Sequence, residues 1–223
     1  MLVMINEIYQ AFAEMSDKVA FACGPGCATC CTRSVTLTTA EGRIIGDHLR
    51  STGRVLPEIP LDPLPLRPSL TTNGLAGSYL VGQEPPEESD SPWLFEPCFF
   101  LHEGLCSIYE ARPFACRGFT STVNCTTSGT AEVPEWLLTM TIVTNQILEH
   151  LDHGGWWGNL ADILAFLDAG QGELARFTAR DRLLANLPAP GLLVVVQEVA
   201  MIENYLARLG KIAGLDLRGL SFR

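Results

Sequence analysis

At 223 residues the chain is long enough to bury a core unaided, as one large domain or two small ones. Hydrophobic residues make up 47% and charged residues 18%, an ordinary globular composition that argues against extended disorder. The net charge is −10 and only two lysines occur, Lys18 and Lys211, so neither nucleic acid nor an acidic membrane surface is expected as a partner.

In residues 3–20, Ile5, Ile8, Tyr9, Phe12, Met15 and Val19 recur at helical spacing and predict an amphipathic helix. The same stretch carries Glu7, Glu14, Asp17 and Lys18, with no basic n-region and no unbroken apolar run, so it does not read as a signal peptide. The run Leu192–Val196 is too short to span a bilayer, and a cytosolic protein is expected. Gly24-Pro25-Gly26 stops any helix and permits tight turns. Ser34–Leu37 alternates as a short strand would. Thr38 or Thr39, with Glu41 close behind, then predicts an N-cap and a helix over 39–52.

Five prolines between Val55 and Pro68 predict an extended connector. Gln83–Pro92 reads as a solvated acidic loop, and Leu75–Val81 fits a strand or a turn of helix equally. Beyond the last cysteine, Pro134 stands where a first-turn proline would. A long helix over 134–153 follows, ended by Gly154-Gly155. Apolar spacing predicts further helices at about 158–169, 172–186 and 192–210. The expected fold is mostly α, a helical domain with irregular cysteine-ligand loops and few short strands. Residues 1–128 form its cysteine-cluster region, and a helical region, 129–223, packs on it.

The chemistry lies in eight cysteines. Cys23, Cys27, Cys30 and Cys31 fall within nine residues, and Cys98, Cys106, Cys116 and Cys125 share one later stretch. In a reducing compartment such density points to metal rather than to a disulfide scaffold. Thiolates suit zinc, other thiophilic metals and iron–sulfur clusters, and spacing alone does not separate these. Cys23, Cys27 and Cys30 have ligand-loop spacing; Cys31 is harder to seat, because adjacent side chains diverge, and it serves a different centre unless the backbone bends sharply. Eight thiols divide into two four-thiolate sites, or into one site plus spare structural thiols. Arg112 and Arg117 are candidates to hydrogen-bond a thiolate cluster from behind its ligands, as an alternative to a structural pair with Glu110. His48, His102, His150 and His153 rank below the cysteines as ligands.

The spacing C-x3-C-x2-C also occurs in radical enzymes that cleave S-adenosylmethionine, where it follows the first strand of a parallel barrel. Here a helix precedes it and Thr29 stands where an aromatic is usual, so that reading is set aside. The strings Cys23-x3-Cys27-x2-Cys30-Cys31, Val35-x-Leu37-Thr38-x-x-Glu41, Cys98-Phe99-Phe100-Leu101 and Gly104-x-Cys106-x-Ile108-Tyr109-Glu110-x-Arg112-Pro113-x-x-Cys116-Arg117 together resemble the YkgJ-like cysteine-cluster family. Its members are described as zinc- or iron-chelating, often as iron–sulfur proteins, and the flagellin lysine N-methylase is similar in its cysteine pattern. The first gap is x3 here, where the family has x2. The resemblance implies a bound metal or cluster, with the matching cysteines as candidate ligands; it does not imply methylase activity.

Two functional classes follow. The first is a metalloprotein holding an iron–sulfur cluster, of four irons, or zinc, with a redox or protein-modifying role toward an unknown protein partner. The alternative is a non-enzymatic structural zinc module serving protein–protein interaction. A metal storage or delivery role is a third possibility.

Overall fold

The computed structural model describes residues 1–59, 68–88, 92–168 and 172–222. The centre of the proline connector, Asp90 of the acidic loop and residue 169 of an expected helix lie outside these. The fold is mostly α-helical, as the periodicity predicts.

Helix α1 (Leu2–Ser16) buries Ile5, Ile8 and Phe12 on one face. Strand β1 (Thr36–Thr38) leads directly into α2 (Thr39–Ser51). The cap is Thr38. Its hydroxyl accepts from the Glu41 N–H, and Glu41 Oε2 accepts from the Thr38 N–H at 3.0 Å, a reciprocal capping box that satisfies two orphan helix donors. The ambiguous 75–81 segment is helical, within α3 (Thr72–Leu80).

A minimal hairpin follows, β2 (Leu101–His102) with β3 (Leu105–Cys106), in register Leu101↔Cys106. Its turn residues, Glu103 and Gly104, have φ of 50° and 78°. Positive φ at both centres marks a turn whose twist matches that of the strands, and glycine adopts it without strain. Two short helices, α4 (Phe114–Gly118) and α5 (Cys125–Ser128), complete the cysteine region.

Helix α6 (Glu135–Leu151) is the long helix expected, with Pro134 as its N-cap rather than in its first turn. Strand β4 (Trp156–Asn159) follows its terminal glycines, then α7 (Leu160–Leu167) and α8 (Glu173–Asp181). The helix expected to reach 186 stops at 181, because Leu184 and Ala185 are taken by strand β5 (Leu184–Ala185). The last helix, α9 (Val199–Leu209), starts later than the predicted 192. Leu192 instead bridges to Phe222 and donates its N–H to the Ser221 carbonyl. The three-stranded antiparallel sheet has the order β1-β4-β5, with Thr36 opposite Asn159 and Trp156 opposite Ala185.

Two apolar clusters hold these elements. In the first, α1, α6 and α9 meet through Ile5, Ile8, Met140, Ile147, Ile202 and Tyr205, joined by Phe114 from α4. In the second, Leu37 and Ile45 pack with Phe100, Ile108, Ile163 and Leu164. Each such side chain, fully buried, contributes about 1.5–3 kcal/mol relative to exposure. Both clusters draw on residues before 128 and after 129. The cysteine segments are therefore pinned by aromatic and aliphatic neighbours that belong to the core. Among the described residues no helix is long and apolar enough to cross a membrane.

Candidate metal centre

The first cysteine loop is two successive tight turns. The Cys27 N–H donates to the Gly24 carbonyl at 3.0 Å, with Gly26 at φ 91°, and the Cys31 N–H donates to Ala28 at 3.0 Å. That φ favours glycine, so the C-x3-C gap is built around Gly26. Cys27 and Cys30 end up exposed, Cys23 and Cys31 half-buried.

Distant chain fixes both ends of this loop. At its start the Ala22 N–H donates to the Ser121 carbonyl at 2.9 Å, and the Ser121 N–H donates to Cys23 Sγ at 3.2 Å. At its end the Cys98 N–H donates to the Cys31 carbonyl at 2.9 Å, and Thr32 bridges to Pro97. The hairpin then folds Cys106 back beside Leu101, while the Leu101 N–H caps the Cys98 carbonyl at 2.9 Å. Cys116 lies in the middle of α4, whose first residue, Phe114, is buried against Phe12 at 4.8 Å between ring centroids. Cys125 starts α5, and Thr126 beside it shares a 2.9 Å hydrogen bond with Thr29.

Seven of the cysteines line one cavity of about 670 Å³, whose wall also includes Tyr9, Phe12, Phe100 and Ile108. Cys125 lies outside that lining and forms a weak Sγ contact with the Val123 carbonyl at 3.8 Å. All eight thiols are free. Among the described residues, no three His, Cys, Asp or Glu side chains close around a single point. The thiols ring the cavity rather than meet in it. The donor set itself, all sulfur beside apolar walls, suits a thiophilic metal or an iron–sulfur cluster.

Burial, reinforced by the nearby Cys98 and Cys106 thiols and opposed by Arg112, pushes Cys116 up to about 12. Burial likewise raises Cys98, with Arg33 pulling the other way. It raises Cys23 too, against the Ser121 N–H. A thiol–thiol hydrogen bond raises Cys30 strongly and lowers Cys31. A metal that binds here displaces protons from most of these groups.

Of the two arginines singled out in the sequence, Arg112 stacks on the Tyr109 ring at 3.7 Å and donates to the Tyr109 carbonyl. Its charge reaches Cys116. Arg117 donates to the carbonyls of Arg112 and Glu110 and lies over Tyr9. Its bonds brace the 109–117 turn, and neither arginine forms an ion pair with the Glu110 carboxylate among the described residues. Sequence reasoning missed Arg33. Its guanidinium pairs with Glu96 at 2.6 Å, lies 5.0 Å from the Trp93 ring centre and bears on Cys98. Its buried Nε has no hydrogen-bond partner among the described residues. A cation two positions after Cys31 was the available signal.

Glu41 does more than complete the cap of α2. It is 3% exposed and accepts from the Tyr9 hydroxyl at 2.7 Å and the Phe114 N–H at 2.9 Å, besides Thr38. The carboxylate that starts α2 thus also anchors α4, which carries Cys116. Burial, then Glu41, raises Tyr9 well above the usual phenol range, so Tyr9 is a neutral donor to that carboxylate. The histidines stand apart. His102 is exposed on the hairpin, and His150 accepts from the Ala189 N–H at 3.2 Å at the far end of α6.

Dense thiols on turns braced by the core define a metal-binding cysteine-cluster protein. The model of the CxxCxxCC family, described as "Putative zinc- or iron-chelating domain", matches residues 22–136, just over half of the chain and a span that includes every cysteine. The chain belongs to that family. No curated protein and no solved structure matches it.

Proposed function

We propose that this protein holds an iron–sulfur chromophore, of the four-iron type, through its clustered cysteines and acts in the cytoplasm as a redox protein toward another protein. The observation that carries the reading is that two remote segments bring seven cysteines to one apolar-walled cavity of about 670 Å³. Thiols spread around a space of that size suit a multinuclear core better than one ion held tightly by four sulfurs. When bound, such a cluster supplies one-electron chemistry. The chain's own part is to bind it with thiolates, exclude water with Phe12, Phe100 and Ile108, and place the positive charge of Arg33 and Arg112 beside Cys98 and Cys116. Such outer charges tune a cluster's potential. The negative net charge supports a protein partner over nucleic acid or membrane.

One observation favours a second reading, the structural zinc module. Every candidate ligand is a thiol, and closed all-thiolate sites are the usual structural zinc sites. Iron, zinc and acid-labile sulfide, measured on protein purified without oxygen, separate the two. Near-stoichiometric iron and sulfide with a brown visible spectrum are expected. Colourless protein with bound zinc overturns the cluster reading in favour of the module, and protein free of any metal overturns both.

A further inference from the structure

The two cysteine segments are tied together at two separate places, and each tie lies beside different thiols. At the start of the first loop, Ala22 and Cys23 bond to Ser121, and Thr29 bonds to Thr126 at 2.9 Å. These contacts set Cys125 beside the turns that carry Cys23, Cys27 and Cys30. At the end of the loop, the Cys98 N–H bonds to the Cys31 carbonyl, and the hairpin brings Cys106 back over the same point. Cys98, Cys106 and Cys116 all pack against the second apolar cluster, which includes Phe100 and Ile108.

We propose that the eight cysteines form two four-thiolate sites: Cys23, Cys27, Cys30 and Cys125 hold one metal centre, and Cys31, Cys98, Cys106 and Cys116 hold the other. This rests on the reading that the cysteines ligate metal, and it adds how they divide. The Cys30–Cys31 pair explains itself on this division. Adjacent side chains cannot easily converge on one ion, but they reach two centres on either side of one peptide link. Neighbouring α-carbons stand only about 3.8 Å apart, so the two centres are close neighbours, within reach for direct electron exchange. Both sites have thiolate donors alone, so each takes zinc or an iron–sulfur cluster.

The test uses the full-length protein and Zn²⁺ as the probe. Wild-type protein is expected to take up two equivalents. Cys125→Ser and Cys98→Ser are each expected to lose half of that tight zinc, and the double variant to lose all of it. A wild-type stoichiometry of one, or a double variant that still holds as much as either single one, overturns the division. Uptake of no zinc by wild-type overturns the metal-binding reading itself, which is a distinguishable failure. If a variant loses its helical circular dichroism, wild-type protein given one equivalent of Zn²⁺ is alkylated and mapped by mass spectrometry. Protection of the cysteines in the two stated sets supports the proposal, and protection of Cys30 and Cys31 together as one set overturns it.

Discussion

Glu41 shows how much one buried side chain carries. Four donors converge on its carboxylate, from Tyr9 on α1, from the backbone and hydroxyl of Thr38, and from Phe114 on α4. In Glu41→Gln an amide NH₂ replaces one acceptor oxygen and confronts a backbone donor, the Thr38 N–H or the Phe114 N–H. A buried donor left unsatisfied costs about 1–3 kcal/mol. Urea unfolding is expected to show a loss of that size, whereas the exposed Glu7→Gln stays within about 0.5 kcal/mol of wild-type. Alkylation of Cys116 is also expected to quicken in the variant, because α4 loses its anchor. An unchanged rate would mean that packing of Phe114 alone holds α4.

Between elements, small residues set the distances. At Gly118, the end of α4, an added Cβ would stand 2.6 Å from Thr141 Cγ2 on α6. Thr141 is β-branched and stiff, so α4 must move rather than the side chain. Gly118→Val is expected to cost about 1–3 kcal/mol by overpacking. It is also expected to weaken retention of metal by Cys116, read as zinc lost to a competing chelator. Gly154→Ala, where nothing lies within 4 Å of the new Cβ, serves as the control and should leave both stability and metal retention unchanged. The start of α2 follows the same logic of close approach. Asp152 accepts from the Thr39 hydroxyl at 2.6 Å and from the Ala40 N–H at 2.9 Å, placing a second carboxylate at that helix N-terminus, where the helix dipole favours it.

At the scale of the whole molecule, the two apolar clusters differ in their relation to the cysteines. The α1–α6–α9 cluster contains none, whereas Cys98, Cys106 and Cys116 border the other. Helix packing in the first cluster should therefore outlast the metal. Removing metal with a strong chelator under reducing conditions is expected to leave most of the helical circular dichroism. The same treatment should open residues 22–31 and 119–131 to limited proteolysis, because those turns have few buried contacts of their own. Collapse of the helical signal on chelation would show instead that folding of the entire chain depends on the metal.

The sequence by itself determined the helical class, the capped start of α2, the cysteine clustering and the family. Each of these is written within a few residues: apolar period for α1 and α6, a Thr–Glu pair three apart for the cap, and the spacing of thiols for the metal chemistry. It could not show β4 and β5, which are short and exist only because β1 and Leu184–Ala185 pair with Trp156–Asn159. Nor could it reveal the second role of Glu41 or the place of Arg33, since their partners, Phe114 for the one and Glu96 and Trp93 for the other, lie far along the chain. Which cysteines stand together was likewise left to the tertiary structure. That outcome turns on backbone hydrogen bonds between remote strands of chain, Ala22 to Ser121 and Cys98 to Cys31, and those bonds form only once the shared core has closed the loops between them.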